Sequence, residues 1–374
     1  MAAKLKRSLA EHCRRKLTRY TGYQPARPTW LVLESTNYCN QKCPVCPASQ
    51  RPPPRPRGFM DWELFLRLVE DAAQLRPERV ALYAHGEPLM HPRIGDMVRA
   101  LADRGLSTEI VTNGELLTPE LSRTLLEAGL ESLSVSHPAV SPALYETYRG
   151  EPLPPGKEAR LAESFRVWAG AKGRASIRSM VPAEYDEETP PVSAPIRDTV
   201  PVGYQEEAEP AGTPAGPPSM RTPSPSFIRR WLTIPGVHSV MFHGYTPWPG
   251  HCREDLLTAL SARPRRCEIG MRSLVVLWDG TVTACSFDYA ARLAIGRAPE
   301  QSLARLYNGA ALRRMRRGWF RKPACWPPTC RACLIPRCTA PSIVNTAEEL
   351  ASILRHGPAH FQRSARRPPG DVTA

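Results

Sequence analysis

No run of about 18 consecutive apolar residues occurs in the 374-residue chain, so it offers no membrane-spanning helix. Its first twenty residues lack the apolar centre of a secretory signal. Aromatic residues are sparse, at 7%. Acidic residues fall short of basic ones, 36 against 50, which leaves a formal charge of +14. The excess lies mainly in the N-terminal segment, in Arg313–Lys322 and in the C-terminal tail. No helix–turn–helix, RNP-like or zinc-finger pattern organises it, so it reads as solvated basic faces and not as a nucleic-acid site. Eleven cysteines are present, grouped at CxxC-type spacings. With no secretory signal, that grouping favours metal or redox cofactors over disulfides and a cytoplasmic location.

What the chain does contain is a repeated strand–helix grammar. Leu5, Leu9, Cys13 and Leu17 recur every fourth residue among Lys and Arg, which predicts a basic amphipathic helix in residues 1–28. Strands are expected at Trp30–Ser35, Arg79–Tyr83, Ser107–Thr112, Ser132–Ser136, Ala175–Val181 and Val237–Phe242. Helices are expected at Trp62–Leu75, Ile94–Arg104, Pro119–Ala128 and Glu158–Ala171. Thr118-Pro119 has the form of an N-cap followed by Pro at the first helical position. Repeated βα units predict an α/β fold with a parallel sheet, here a partial (β/α)6 TIM-like barrel over residues 29–255. Residues 184–226, rich in Pro, Glu, Ser and Thr, interrupt it as a disordered insertion. A small Cys-rich domain follows over 256–345, then a C-terminal helix and disordered tail over 346–374.

Cys39, Cys43 and Cys46 directly follow the first expected strand. Three thiolates within eight residues can wrap one face of an iron–sulfur cube, which normally takes four. One iron is then open to a ligand from outside the protein. The other reading is a structural zinc site, for which a nearby fourth Cys or His is missing.

This CxxxCxxC segment resembles the signature of the radical S-adenosylmethionine (SAM) superfamily, and so do the motifs after it. Gly86-Glu87-Pro88 resembles the second half of the family's GGEP motif, with His85 in place of the first Gly. Thr112-Asn113-Gly114 resembles its TNG turn, and Ser136 a ribose-contacting position, although His137-Pro138 replaces the usual acidic residue. Val45 stands where many members carry an aromatic residue. Each motif lies just past a strand's carboxyl end, where barrel active sites are built. The resemblance implies a [4Fe–4S] cluster on Cys39, Cys43 and Cys46 whose fourth iron is chelated by SAM. It places Gly86, Glu87, Pro88, Asn113 and Ser136 around SAM, with Glu87 on its amine; Asn113 could equally cap its own turn. It also implies an external electron donor such as flavodoxin or ferredoxin, and hydrogen abstraction from substrate by a 5′-deoxyadenosyl radical.

The remaining cysteines form a second set. Asp279-Gly280, between Ser273–Leu277 and Thr281–Ala284, signals a hairpin that brings Cys267 near Cys285. Cys330 and Cys333 supply a CxxC pair from a later turn. The order resembles a SPASM/twitch extension, implying one auxiliary [4Fe–4S] cluster on Cys267, Cys285, Cys330 and Cys333, with Cys325 or Cys338 in reserve. A zinc ribbon has a similar four-cysteine spacing.

Twitch enzymes of this layout oxidise a carbinol, so a small sugar or aminocyclitol is the expected substrate. Arg178, Tyr245, Trp248, His251 and Arg253 are the substrate candidates. A maturase of a ribosomally made peptide is the alternative, weakened because residues 1–28 leave little room for a peptide-recognition domain. A non-enzymatic basic binding module is the third reading.

Overall fold

The computed structural model describes residues 26–49, 52–138, 141–180, 225–243, 245, 248–249, 267–321, 323–335 and 342–344. The expected N-terminal helix, the 184–226 insertion apart from its last two residues, His251, Arg253, Cys338 and the 346–374 tail lie outside them.

In chain order the elements are β1 (Trp30–Leu33), α1 (Trp62–Leu75), β2 (Arg79–Ala81), α2 (Ile94–Asp103), β3 (Thr108–Thr112), α3 (Pro119–Glu127) and β4 (Ser132–Ser136). There follow α4 (Pro142–Arg149), α5 (Lys157–Arg166), β5 (Arg174–Met180), α6 (Pro225–Leu232) and β6 (Val237–His243). The Cys-rich part contributes α7 (Glu268–Arg272), β7 (Ser273–Val276), β8 (Thr281–Thr283), β9 (Ala294–Arg297), α8 (Leu303–Tyr307), α9 (Ala310–Phe320), α10 (Pro328–Arg331) and β10 (Ser342–Val344). Helix starts are capped as the side chains dictate. Asp61, Thr118 and Ser141 accept the amides of Leu64, Leu121 and Leu144, and Pro119 and Pro142 open their helices.

Strands β1 to β6 run parallel and in sequence order, as successive right-twisted βα units require. Along each strand alternate residues face opposite sides. Leu31, Leu33, Val80, Leu82, Ile110, Leu133, Val135, Ala175 and Ile177 pack outward with Phe65, Leu68, Met97, Leu101, Leu125 and Phe165 of the helices in the main core. The other face carries a small apolar patch, Val32, Ala81, Val275 and Leu277. Beside it stand polar groups: Glu109, Arg178, Tyr83, and Ser134 bonded to Ser176 at 2.7 Å. A packed eight-stranded barrel fills that face with branched aliphatics; here hydrogen-bonded polar side chains share it.

The reading of 256–345 as a domain apart meets a difference. Strand β7 pairs in parallel with β1, and β8 and β9 continue antiparallel from it, so the Cys-rich hairpin extends the same sheet. At the other edge β10 pairs antiparallel with β6. Its three residues carry no pattern by which sequence could have marked them as a strand.

Gly236 turns the chain from α6 into β6 with φ of +91°, and a Cβ there would collide with the carbonyl oxygen of Phe165. Only glycine meets both conditions. Gly236→Ala should therefore lower the melting temperature by several degrees, an effect of about 2 kcal/mol or more. An unchanged melting temperature in a thermal scan would show that this turn carries no strain.

Candidate functional site

The motif residues converge at the carboxyl ends of β1 to β4. The link between β1 and β2 is made by Gly86, where a Cβ would come within 2.5 Å of the carbonyl oxygens of Thr36 and Tyr38. The next amide, of Glu87, donates to that Tyr38 oxygen at 2.8 Å. The backbone entering the cysteine loop thus rests directly on the Gly86-Glu87 backbone.

Glu87 is buried, 2% exposed. It accepts from Leu89 N at 3.0 Å, from Thr112 Oγ1 at 2.7 Å and from Asn113 N at 2.7 Å. Burial pushes its carboxyl above the usual range, and these three donors oppose the shift. The sequence reading gives Glu87 to the SAM amine; most of its accepting capacity is here spent on joining the end of β2 to the end of β3. Asn113 takes the capping role and also reaches the cysteine loop. Its Oδ1 caps the turn by accepting Glu115 N at 2.9 Å, and its Nδ2 reaches Asn40 Oδ1 at 2.8 Å and Cys39 Sγ at 3.9 Å.

The thiols are held away from water. Burial raises Cys39 to about 11 and Cys46 to about 12. Arg149, buried at the end of α4, donates Nη1–H to Cys43 Sγ at 3.5 Å. Its Nη2 bonds to the carbonyl oxygen of Ser136 and, at 3.3 Å, to Ser136 Oγ. Ser136, expected at the ribose, is thus tied to the cysteine loop through Arg149. Behind this loop Gln41, Glu115, Tyr145 and buried Lys157 form one network. Gln41 and Lys157 donate to Glu115, and Lys157 Nζ reaches the Tyr145 hydroxyl at 2.9 Å. Val45 is buried in the main core. His137, which replaces the expected acidic residue, is buried and its Nε2 pairs with Glu158 at 3.0 Å, a link between β4 and α5.

Arg149 was legible only in part. The run Tyr145–Gly150 resembles a helix common at this place in the superfamily, but nothing in it marks the arginine as a partner of Cys43. Arg55, in a Pro-rich loop, gave no signal at all. It bonds to buried Glu34, to which His85 Nδ1 is also bound at 2.8 Å. Burial opposes the charge on Glu34, but His85 and Arg55 outweigh it and hold its carboxyl at about 2.

The second cysteine set also converges. Cys267, Cys285, Cys330 and Cys333 line one cavity with Ile269, Leu293, Trp319 and Trp326; it measures about 430 Å³ counting the part open to solvent. Burial, with Cys267, Cys333 and Cys330 nearby, raises the Cys285 thiol well above its ordinary value. Trp319 Nε1 donates to Cys330 Sγ at 3.3 Å, and Phe287 N to Cys285 Sγ at 3.4 Å. Cys325 is exposed and does not line the cavity. Among the described residues no three His, Cys, Asp or Glu side chains close on a point as they would around a single metal ion.

Residues 33–168 match the model of the radical SAM superfamily, and residues 267–334 match that of an iron–sulfur cluster-binding domain, SPASM. The chain belongs to the radical SAM superfamily. Membership brings a [4Fe–4S] cluster and SAM as cofactors, and the SPASM domain brings auxiliary iron–sulfur ligation. The residues fit both groups: buried Cys43 beside half-buried Cys39 and Cys46, with N–H donors on the sulfurs of Cys39 and Cys43, at one site, and four thiols around one cavity at the other. This radical SAM chain is 40% identical over 104 residues to a tungsten-containing aldehyde ferredoxin oxidoreductase cofactor-modifying protein of Pyrococcus furiosus, covering 27% of this chain and 28% of that one. It is 34% identical over 160 residues to a GTP 3′,8-cyclase of Synechococcus, covering 39% and 44%. The matches thus span less than half the length of these curated relatives. In fold it resembles SuiB of Streptococcus suis bound to S-adenosylmethionine, with a TM-score of 0.51 and 15% identity over 90% of this chain and 81% of that one. It resembles equally the AdoMet-bound native anSMEcpe, with a TM-score of 0.51 and 13% identity over 90% and 99%.

The substrate candidates divide. Tyr245 is 2% exposed and packs in the main core. Arg178 is paired with Glu109 at 3.1 Å, where Arg79 also binds; these two arginines outweigh burial and hold the Glu109 carboxyl below its usual range. Trp248 stands at the rim with its ring 5.5 Å from His85.

Raised thiols are protonated at neutral pH and become reactive only as pH climbs toward their shifted values. In iron-free protein, iodoacetamide should alkylate Cys39 and Cys46 far more slowly at pH 8 than exposed Cys325. Their rates should then rise about tenfold per pH unit toward pH 11. Peptide mass spectrometry reads this, and equal rates for all three cysteines at pH 8 would contradict the burial described.

Proposed function

We propose that this radical SAM protein is an oxidoreductase that removes hydrogen from a hydroxyl-bearing small molecule such as a sugar or aminocyclitol. What carries the reading is the pairing of a three-thiol loop with a four-thiol cavity along one continuous sheet. Three thiols leave an iron open to an outside ligand; four close a cluster that can only pass electrons. A two-electron oxidation needs both kinds, one to start hydrogen abstraction and one to accept the electron left behind.

Cys39, Cys43 and Cys46 would hold the first cluster, and Cys267, Cys285, Cys330 and Cys333 the second. When bound, SAM and its cluster supply a primary carbon radical; the protein supplies position and exclusion of water. Gly86 permits the close backbone approach on which the loop depends. Glu87, Pro88, Asn113 and Ser136 set the strand ends around the cofactor. Arg149 places a buried positive charge against Cys43. The polar face of the sheet, with Ser134, Ser176, Glu109 and Arg178, offers hydrogen bonds to a polyol. A flavodoxin or ferredoxin would supply the reducing electron.

Two measurements test this. Anaerobically reconstituted protein with SAM and dithionite should release 5′-deoxyadenosine, detected by mass spectrometry, and Cys43→Ala should abolish it. Absence of the nucleoside from the wild type would end the reading. The same preparation should bind about eight irons, falling to about four in the Cys285→Ser/Cys330→Ser double variant. About four irons together with zinc in the wild type would replace the auxiliary cluster by a zinc ribbon.

A further inference from the structure

His85 occupies the place of the motif's first glycine, and its ring is held with unusual investment of charge. It is 4% exposed. Its Nδ1 lies 2.8 Å from Glu34 Oε1 and 3.0 Å from Arg55 Nη2. Arg55 is itself fixed, donating Nε–H to the carbonyl oxygen of Tyr289 at 2.6 Å, and Glu34 accepts Trp278 N at 3.1 Å. Glu34 can only accept and Arg55 can only donate, so Nδ1 bonds to one of them at a time; in the bond to Glu34 it carries the proton. In the imidazole form the lone pair then rests on Nε2, the arrangement by which a carboxylate aims a histidine.

Nε2 of His85 is buried and without a hydrogen-bond partner among the described residues. The Tyr289 hydroxyl is buried and unpartnered too, on a ring 5.1 Å from His85 at 80°. Each orphaned group costs about 1–3 kcal/mol, which a Phe at either position would avoid. The surroundings are apolar and aromatic. Trp248 lies 5.5 Å from His85 and 5.1 Å from Phe287. His85 adjoins Gly86, which rests on the backbone leading to Cys39, while Phe287 and Tyr289 follow Cys285. The pair is thus joined through the chain to both thiol sets.

We infer that His85 and Tyr289 form a substrate-binding subsite for a hydroxyl group. The substrate O–H donates to His85 Nε2, the Tyr289 hydroxyl completes its hydrogen bonding, and Trp248 and Phe287 cover the C–H faces of a ring-shaped polyol. The ligand class rests on the oxidoreductase reading above; the subsite itself does not.

Diethyl pyrocarbonate, which acylates an imidazole lone pair, tests this on the anaerobically reconstituted protein at pH 7, read by peptide mass spectrometry. His85 should be acylated, more slowly than exposed His238 because its Nε2 is buried, and should be protected by concentrated myo-inositol but not by equimolar urea. Glu34→Gln should slow the acylation of His85 alone, because the Gln amide can donate to Nδ1 and move the proton to Nε2. His85 left intact while His238 reacts would overturn the subsite. Reaction without protection by myo-inositol would overturn the hydroxyl ligand. Neither readout requires SAM cleavage, so loss of 5′-deoxyadenosine formation would count against the proposed activity and leave this result standing.

Discussion

The arrangement turns on one buried carboxylate. Glu87 receives the amides of Leu89 and Asn113 and the hydroxyl of Thr112, while its own amide grips Tyr38. Three strand ends, separated by dozens of residues in sequence, are thereby fixed at hydrogen-bond distance. A charge left unpaired in that position would cost several kcal/mol, so the ends cannot drift without exposing it. The cysteine loop has no regular structure of its own over most of its length; it takes its shape from this anchorage and from the Arg149 and Asn113 donors on its sulfurs. Geometry at the thiols is thus inherited from the sheet.

Much of this was legible beforehand because the signals were local. Hydrophobic alternation marked β1 to β6 to within a few residues, since one face of each strand packs on helices. Thr118 announced a helix start through a short-range cap. The CxxxCxxC spacing and the motifs after β2 and β3 marked strand ends that do come together, because each depends on a few consecutive residues.

What escaped the sequence was long-range. Arg55 reaches Glu34 from a loop of prolines, and Arg149 reaches Cys43 across 106 positions; a lone arginine in either context reads as a solvated charge. The junction of the Cys-rich hairpin with the sheet was hidden for the same reason. Pattern shows which face of β7 is apolar but not which strand it will join.

That junction bears on how the chain comes to be made. β1 has β2 on one side, some fifty residues on, and β7 on the other, with Trp30 opposite Ser273. During synthesis one edge of β1 must wait, its amides and carbonyls unmatched, until most of the polypeptide has emerged. A parallel contact of such high order forms slowly, and an open strand edge in the interval invites pairing with other chains. Fragments ending before residue 273 would keep that edge bare permanently. The iron–sulfur extension is therefore also the piece that finishes the sheet, and expression of the N-terminal half by itself should favour aggregation over a working scaffold.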